Sequence, residues 1–162
     1  MDWENIKVIK KRRDSVNGNE MTVSKVLNET LSNLSKQETQ AITAVNERAR
    51  EMKAAQSNLA ETKELEMCAD RDNQQSRKEL NEFREYINSL KNEERTPVLF
   101  ETLNDLTLKQ SQASIKWQES TEIVGQCQDK LNLAQNRLAV STDQLKAIRI
   151  KKTDASKHLL GS

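Results

Sequence analysis

The sequence predicts an all-α protein, a long antiparallel two-helix coiled-coil hairpin, and three observations lead to this prediction. The 162 residues include only three Gly and one Pro, so the residues that turns and loops require are nearly missing. Five aromatic side chains are too few to fill the core of a compact globule of this length. Two long stretches repeat apolar residues at alternating spacings of four and three, which is the pattern of a coiled-coil seam.

The first seam runs from Leu27 to Leu90 without a shift of phase, and 13 of its 19 positions are apolar. Its polar positions are concentrated between Thr62 and Ser76. The second seam runs from Leu99 to Leu159, and 14 of its 18 positions are apolar. Repeats of this length predict two long helices, each with one narrow apolar stripe.

Several seam positions carry small or polar side chains. Small side chains bury less apolar area, so we expect a coiled coil of modest stability. The polar ones either fix the register of the two helices, at a cost in stability, or mark an irregular, bent helix. Both interpretations remain open from the sequence, and the positions concerned are Glu38, Arg48, Glu66, Asn73 and Gln110.

The position of the bend is open between two places. Thr96-Pro97 is a good helix start, with Thr as N-cap, Pro at the first helical position and Glu101 in the first turn, and the seam loses phase there. The other place is 68–76, where Asp, Asn and Ser cluster. Residues 1–162 are therefore predicted to form a single elongated helical hairpin with its bend near 68–76 or 91–97. A further break is possible at 17–19, which reads Asn-Gly-Asn.

The net charge of +1 hides an uneven distribution of charge. Residues 1–13 carry a net +3 and residues 144–158 a net +4, and a hairpin would bring these two segments toward one end. Residues 61–94 carry a net −4. These charges are either solvated surface or a basic end that docks into an acidic partner. Nucleic acid is the weaker candidate, because the basic clusters lack the aromatic and glycine patterns of nucleic-acid binders and the pI is about 7.7.

The sequence contains no motif of catalysis or cofactor binding, such as a P-loop, a nucleophile elbow or a dinucleotide fingerprint. Cys68, Cys127 and the single His158 lack the number and spacing of zinc ligands. No apolar run approaches the ~18 residues of a membrane span. We therefore expect a non-enzymatic protein of the cytoplasm, without cofactor or metal and without direct membrane insertion.

Two stretches resemble the YscO/FliJ family, the coiled-coil stalk proteins of type III secretion and flagellar export. The first is Ile6–Arg13, which reads IKVIKKRR and is similar to the basic opening of the secretion-system members. The second is Phe83–Glu94, which reads FREYINSLKNEE and is similar to the central aromatic stretch of the family. Chain length and the hairpin pattern agree with the family across nearly the whole chain.

The resemblance implies a monomeric bacterial stalk, cytoplasmic and peripheral to the inner-membrane export machinery. Its partners would be a hexameric secretion ATPase, an export gate protein and secretion chaperones, and not nucleic acid. The ATPase-binding basic end would comprise Lys7, Lys10, Lys11, Arg12 and Arg13, joined through hairpin geometry by Lys146, Arg149, Lys151 and Lys152.

The gate- or chaperone-binding residues implied by the resemblance are Phe83, Tyr86 and Ile87. Phe83 and Ile87 also occupy seam positions, so Tyr86 is the better candidate for contact with a partner. The alternative function is that of a generic cytosolic coiled-coil scaffold or tether, whose seam forms a homodimer.

Overall fold

A computed structural model describes residues 20–160 of the chain, with side chains for 22–159. The described part is helical, with α1 (Glu20–Ser89), a short 3₁₀ helix (Asn92–Glu94) and α2 (Pro97–Leu160). The two long helices pack against each other in opposite directions. This confirms the predicted all-α fold, an antiparallel two-helix hairpin.

The chain reverses direction at 90–96, and α1 continues without interruption through 68–76. The reversal is held by backbone hydrogen bonds, among them Glu94 N–H to Lys91 O at 2.9 Å. Pro97 is the first residue of α2, a position that suits it because the first helical N–H has no partner within the helix. The first turn of α2 carries no acidic residue, so the prediction that places Glu101 there is wrong. Residues 17–19, the other possible break, lie outside the described residues.

Both predicted seams face the helix–helix interface along their whole length. None of the 19 positions of the first seam and none of the 18 positions of the second is exposed. The seam includes its polar members, because Asn73 is only 3% exposed and Ser76 is buried as well. The polar stretch between Thr62 and Ser76 is therefore part of the packed interface and not a break in the helix.

The chain divides into two compact units. The turn half is Glu51–Ala134, and the terminal half comprises the described parts of Met1–Arg50 and Gln135–Ser162. Each half contains a polar contact across the seam. In the turn half, Gln110 Nε2 donates to Asn73 Oδ1 at 3.3 Å.

In the terminal half, the Lys152 ammonium lies 3.4 Å from a carboxylate oxygen of Glu38, and both residues are seam positions. An interaction between two polar seam residues is satisfied only in one alignment of the helices. These contacts therefore favour the interpretation in which the polar seam positions fix the register.

Candidate interaction surfaces

The terminal half carries an exposed basic surface on α2. Lys146, Arg149 and Lys151 are exposed, as the sequence predicts for residues off the seam. Lys152 differs from them, because its side chain is partly buried in the seam and paired with Glu38. Its charge is paired within the hairpin. The basic surface of α2 therefore consists of Lys146, Arg149 and Lys151 together with the exposed Lys157.

An apolar side chain lies within this basic surface. Ile150 is 62% exposed, and the cations Lys146 and Lys157 are four and seven residues from it, which places all three on one side of the helix. Sequence reasoning missed Ile150 as a surface residue. The signal was available, since the residue falls between the seam positions Ile148 and Lys152.

The five N-terminal cations of the predicted basic end lie outside the described residues. They are Lys7, Lys10, Lys11, Arg12 and Arg13. Within the described residues, the terminal half carries a net charge of +4 and the turn half a net charge of −5. The uneven distribution of charge thus follows the division of the chain into its two halves.

The aromatic residues predicted for partner contact lie in the turn half, near the end of α1. Ile87 is buried and Phe83 is partly buried, so both contribute to the seam. Tyr86 is 51% exposed, and its ring centroid lies 6.0 Å from that of Phe83. The Tyr86 ring is therefore supported from the seam side and available to a partner on the other side.

Two further apolar side chains near the turn are exposed, and sequence reasoning did not single them out. Val98 and Phe100 lie in the first turn of α2, on either side of the seam residue Leu99. Between them and α1 lies Arg95, whose buried Nε has no hydrogen-bond partner among the described residues. The turn thus exposes aromatic and aliphatic surface, and it contains an arginine whose Nε is shielded from solvent without a hydrogen-bond partner among the described residues.

One side of the turn half is organised by Glu79. The Glu79 carboxylate accepts hydrogen bonds from Gln75 Nε2 on its own helix and from Lys109 Nζ on α2, both at 3.1 Å. The bond from Gln75 and then the bond and charge of Lys109 lower the pKa of Glu79 below its ordinary value. Glu79 directly precedes the seam residue Leu80, and Lys109 directly precedes the seam residue Gln110. On this side of the hairpin, residues that precede seam positions in the two helices therefore face each other.

A solvent-open hollow of about 380 Å³ lies next to this ion pair. Its floor is formed by the small seam residues Ala69, Ser76 and Ala113, and Asp72, Lys109 and Lys116 contribute to its walls. Small seam side chains leave this space because they do not fill the groove between the helices.

Within residues 20–160, no group of His, Cys, Asp and Glu side chains could hold a metal ion. No helix in this part of the chain is long and apolar enough to cross a membrane. Cys68 is exposed, Cys127 is partly buried, and both thiols are free.

No protein-family model matches the chain, and no curated protein or solved structure shows significant similarity to it. The class defined by the structure is a helical hairpin with coiled-coil packing.

Proposed function

We propose that this chain is a non-catalytic central stalk or adaptor of a type III secretion export apparatus. It binds the hexameric ATPase through the basic surface of its terminal half and links the ATPase to the export gate and to chaperones through residues near the turn. The observation that carries the proposal is the hairpin with exposed Lys146, Arg149 and Lys151 in a half of net charge +4. The resemblance of Ile6–Arg13 and Phe83–Glu94 to the YscO/FliJ family supports it.

The chemistry of the basic surface favours an acidic partner. Exposed cations attract anionic surfaces over a Debye length of ~8 Å at physiological salt, and they accelerate association more than they tighten it. The exposed Ile150 adds apolar area that can be buried on contact. A surface that combines exposed cations with an exposed apolar side chain suits a protein partner that has carboxylates around an apolar site.

Binding of the chain to a hexameric type III secretion ATPase, together with the rate of ATP hydrolysis, tests the proposal. Reversing Lys146, Arg149 and Lys151 to Glu should weaken binding about tenfold or more and remove stimulation of hydrolysis, with helicity by circular dichroism unchanged. Reversing Lys10, Lys11, Arg12 and Arg13 to Glu should act in the same direction.

A control reverses two exposed cations of the turn half, Arg71 and Lys78, which should leave ATPase binding unchanged. Binding that survives both reversals of the basic end would contradict the assignment of that end. Absence of any interaction between the wild-type chain and the ATPase would contradict the proposed function as a whole.

The second candidate function is that of a scaffold or tether that forms a homodimer. Exposed apolar side chains favour it, for example Leu108, Ile115 and Val140 on α2, each more than half exposed. Light scattering separates the two candidates, because the stalk is a monomeric hairpin and the scaffold is a dimer at the same concentration.

A further inference from the structure

The turn half carries a row of cations on α1 that the hairpin does not neutralise. Lys63, Arg77 and Arg84 directly follow the seam residues Thr62, Ser76 and Phe83, so they share one side of the helix. All three are exposed, and within residues 20–160 none of them forms an ion pair. Asp70 occupies the second of the four places of the row, between Lys63 and Arg77, and accepts a hydrogen bond from Gln74 Nε2 at 3.2 Å.

The matching edge of α2 carries no charge. Thr107, Ser114 and Thr121 directly follow the seam residues of α2. In an antiparallel coiled coil these residues lie on the same side of the hairpin as the row on α1, opposite the side on which Glu79 pairs with Lys109. No acidic side chain of this edge can therefore neutralise Arg77 or Arg84.

The two threonine hydroxyl groups of this edge are already satisfied within α2. Thr107 Oγ1 donates to Leu103 O at 2.7 Å, and Thr121 Oγ1 donates to Trp117 O at 3.1 Å. Covering Thr107 and Thr121 would leave neither hydroxyl donor without an acceptor, so the cost of desolvating these two side chains is small. Their methyl groups and the short side chain of Ser114 give an edge of low relief.

Two further residues on this side favour a close helical neighbour. Gly125 is exposed, and a Cβ added to it would meet nothing within 4 Å, so the hairpin itself does not require a glycine there. A glycine inside a helix costs about 1 kcal/mol relative to alanine. Phe100 directly follows Leu99, lies on the same side and is 48% exposed, which adds an aromatic anchor.

We propose that this side of the turn half, the Arg77 face (Lys63, Arg77 and Arg84 of α1 with Thr107, Ser114 and Thr121 of α2), binds one α-helix of another protein. The partner helix carries acidic side chains about seven residues apart, which matches the spacing of Arg77 and Arg84 at a rise of ~1.5 Å per residue. It packs its apolar side against the uncharged edge of α2. The partner helix lies beside the hairpin as a third helix and does not contact the basic surface of the terminal half.

The charge of the surroundings selects this partner over other anions. The turn half has a net charge of −5, so a polyanion such as nucleic acid or an anionic membrane is repelled by most of its surface. A single row of carboxylates contacts only the Arg77 face and avoids that repulsion. A helix also matches the straight course of the row along α1.

The probe is a synthetic amphipathic helix of about 28 residues (four heptads) with one Glu row beside one Leu row. Its binding to the full chain is measured by fluorescence anisotropy, with a peptide in which Lys replaces Glu as the reference. R77E/R84E should weaken binding of the Glu peptide about tenfold, because each contact changes from attraction to repulsion. The matched control R71E/K78E changes the same charge elsewhere on α1 and should change affinity less than about twofold.

A charge-neutral pair of variants separates docking from a general effect of charge. Ser114→Trp places bulk on the Arg77 face and should abolish binding, whereas Gln112→Trp lines the hollow on the other side of α2 and should leave binding intact. Circular dichroism verifies that both variants remain helical.

Several outcomes would overturn the proposal. They are no binding of the Glu peptide, equal loss in R77E/R84E and R71E/K78E, or tighter binding of duplex DNA or anionic vesicles than of the peptide. Self-association of the chain that depends on Arg77 and Arg84 would assign the face to a second copy instead. None of these outcomes depends on ATPase binding, so the proposed function stands or fails separately.

Discussion

Gln110 of α2 donates a hydrogen bond from Nε2 to Oδ1 of Asn73 of α1, at 3.3 Å across the seam of the turn half. Asn73 is almost fully buried, and small residues such as Ala69 and Ser76 lie near it in the seam. A buried amide without a partner costs about 1–3 kcal/mol, so an alignment that separates these two residues is penalised. The pair explains how a seam with weak apolar content still selects one register.

Replacing both amides by leucine should therefore stabilise the hairpin and weaken its specificity. We expect Asn73→Leu with Gln110→Leu to raise the urea midpoint, because apolar area replaces a polar pair. Light scattering should then show a species larger than that formed by the wild-type chain. Asn73→Leu alone should gain less, because it leaves the Gln110 amide without its partner. A lower midpoint in the double variant would contradict the register role.

The Glu38–Lys152 pair of the terminal half should behave as a coupled pair. Glu38→Lys and Lys152→Glu should each lower the free energy of unfolding, because each replaces the ion pair, 3.4 Å apart in the wild-type chain, by two like charges in a partly buried site. The double exchange should recover about 0.5–1 kcal/mol relative to the sum of the single changes. Urea denaturation of the four proteins measures this coupling, and strictly additive losses would exclude it.

Stability should depend on pH through Glu79. Hydrogen bonds from Gln75 and Lys109 lower the pKa of its carboxyl in the folded chain. Its contribution is therefore complete above the unfolded pKa of about 4.3 and is lost as the pH falls through the lower folded value. Glu79→Gln should reduce the loss of melting temperature in this acid range.

Glu82→Gln is the control for this experiment, because Glu82 pairs with Lys78 of its own helix at 3.9 Å and not across the seam. If wild type and Glu79→Gln show the same dependence of melting temperature on pH, measured by circular dichroism, Glu79 does not contribute to the acid sensitivity of the fold.

Alanine substitutions at the neighbours Tyr86 and Ile87 should distinguish a surface residue from a buried seam residue by their effects on stability. Ile87→Ala should cost about 2–4 kcal/mol of unfolding free energy, because the side chain is only 5% exposed in the seam. Tyr86→Ala should cost less than about 1 kcal/mol, because half of that residue is in solvent. If Tyr86→Ala destabilises the hairpin as much as Ile87→Ala, its role is structural and not partner contact.

Gly125→Ala should stabilise the isolated chain by about 0.5–1 kcal/mol, since the added methyl group meets open space. The reverse change at an exposed alanine of the same helix, Ala139→Gly, should lower stability by a similar amount. Chemical denaturation at equal protein concentration provides the comparison. A destabilised Gly125→Ala would mean that the backbone at this position requires glycine.

The sequence predicted the seam positions well, because burial in a coiled coil depends on spacing more than on chemistry. Even Asn73, Ser76 and Gln110 lie where the repeat places them. The site residues were predicted less completely. Lys152 was assigned to the basic surface although it belongs to the second seam, and its contact with Glu38 comes from a residue 114 positions away in the chain.

Composition and period thus determined by themselves the all-α class, the two helices and the residues that face the interface, because these properties follow from local geometry repeated along one chain. Only the tertiary structure decided that the reversal lies at 90–96 and not at 68–76. A polar residue in the repeat looks the same whether it interrupts a helix or meets a partner across the seam, and Gln110 is that partner for Asn73. The partner is distant in sequence, so only the packing of the two helices distinguishes the two cases.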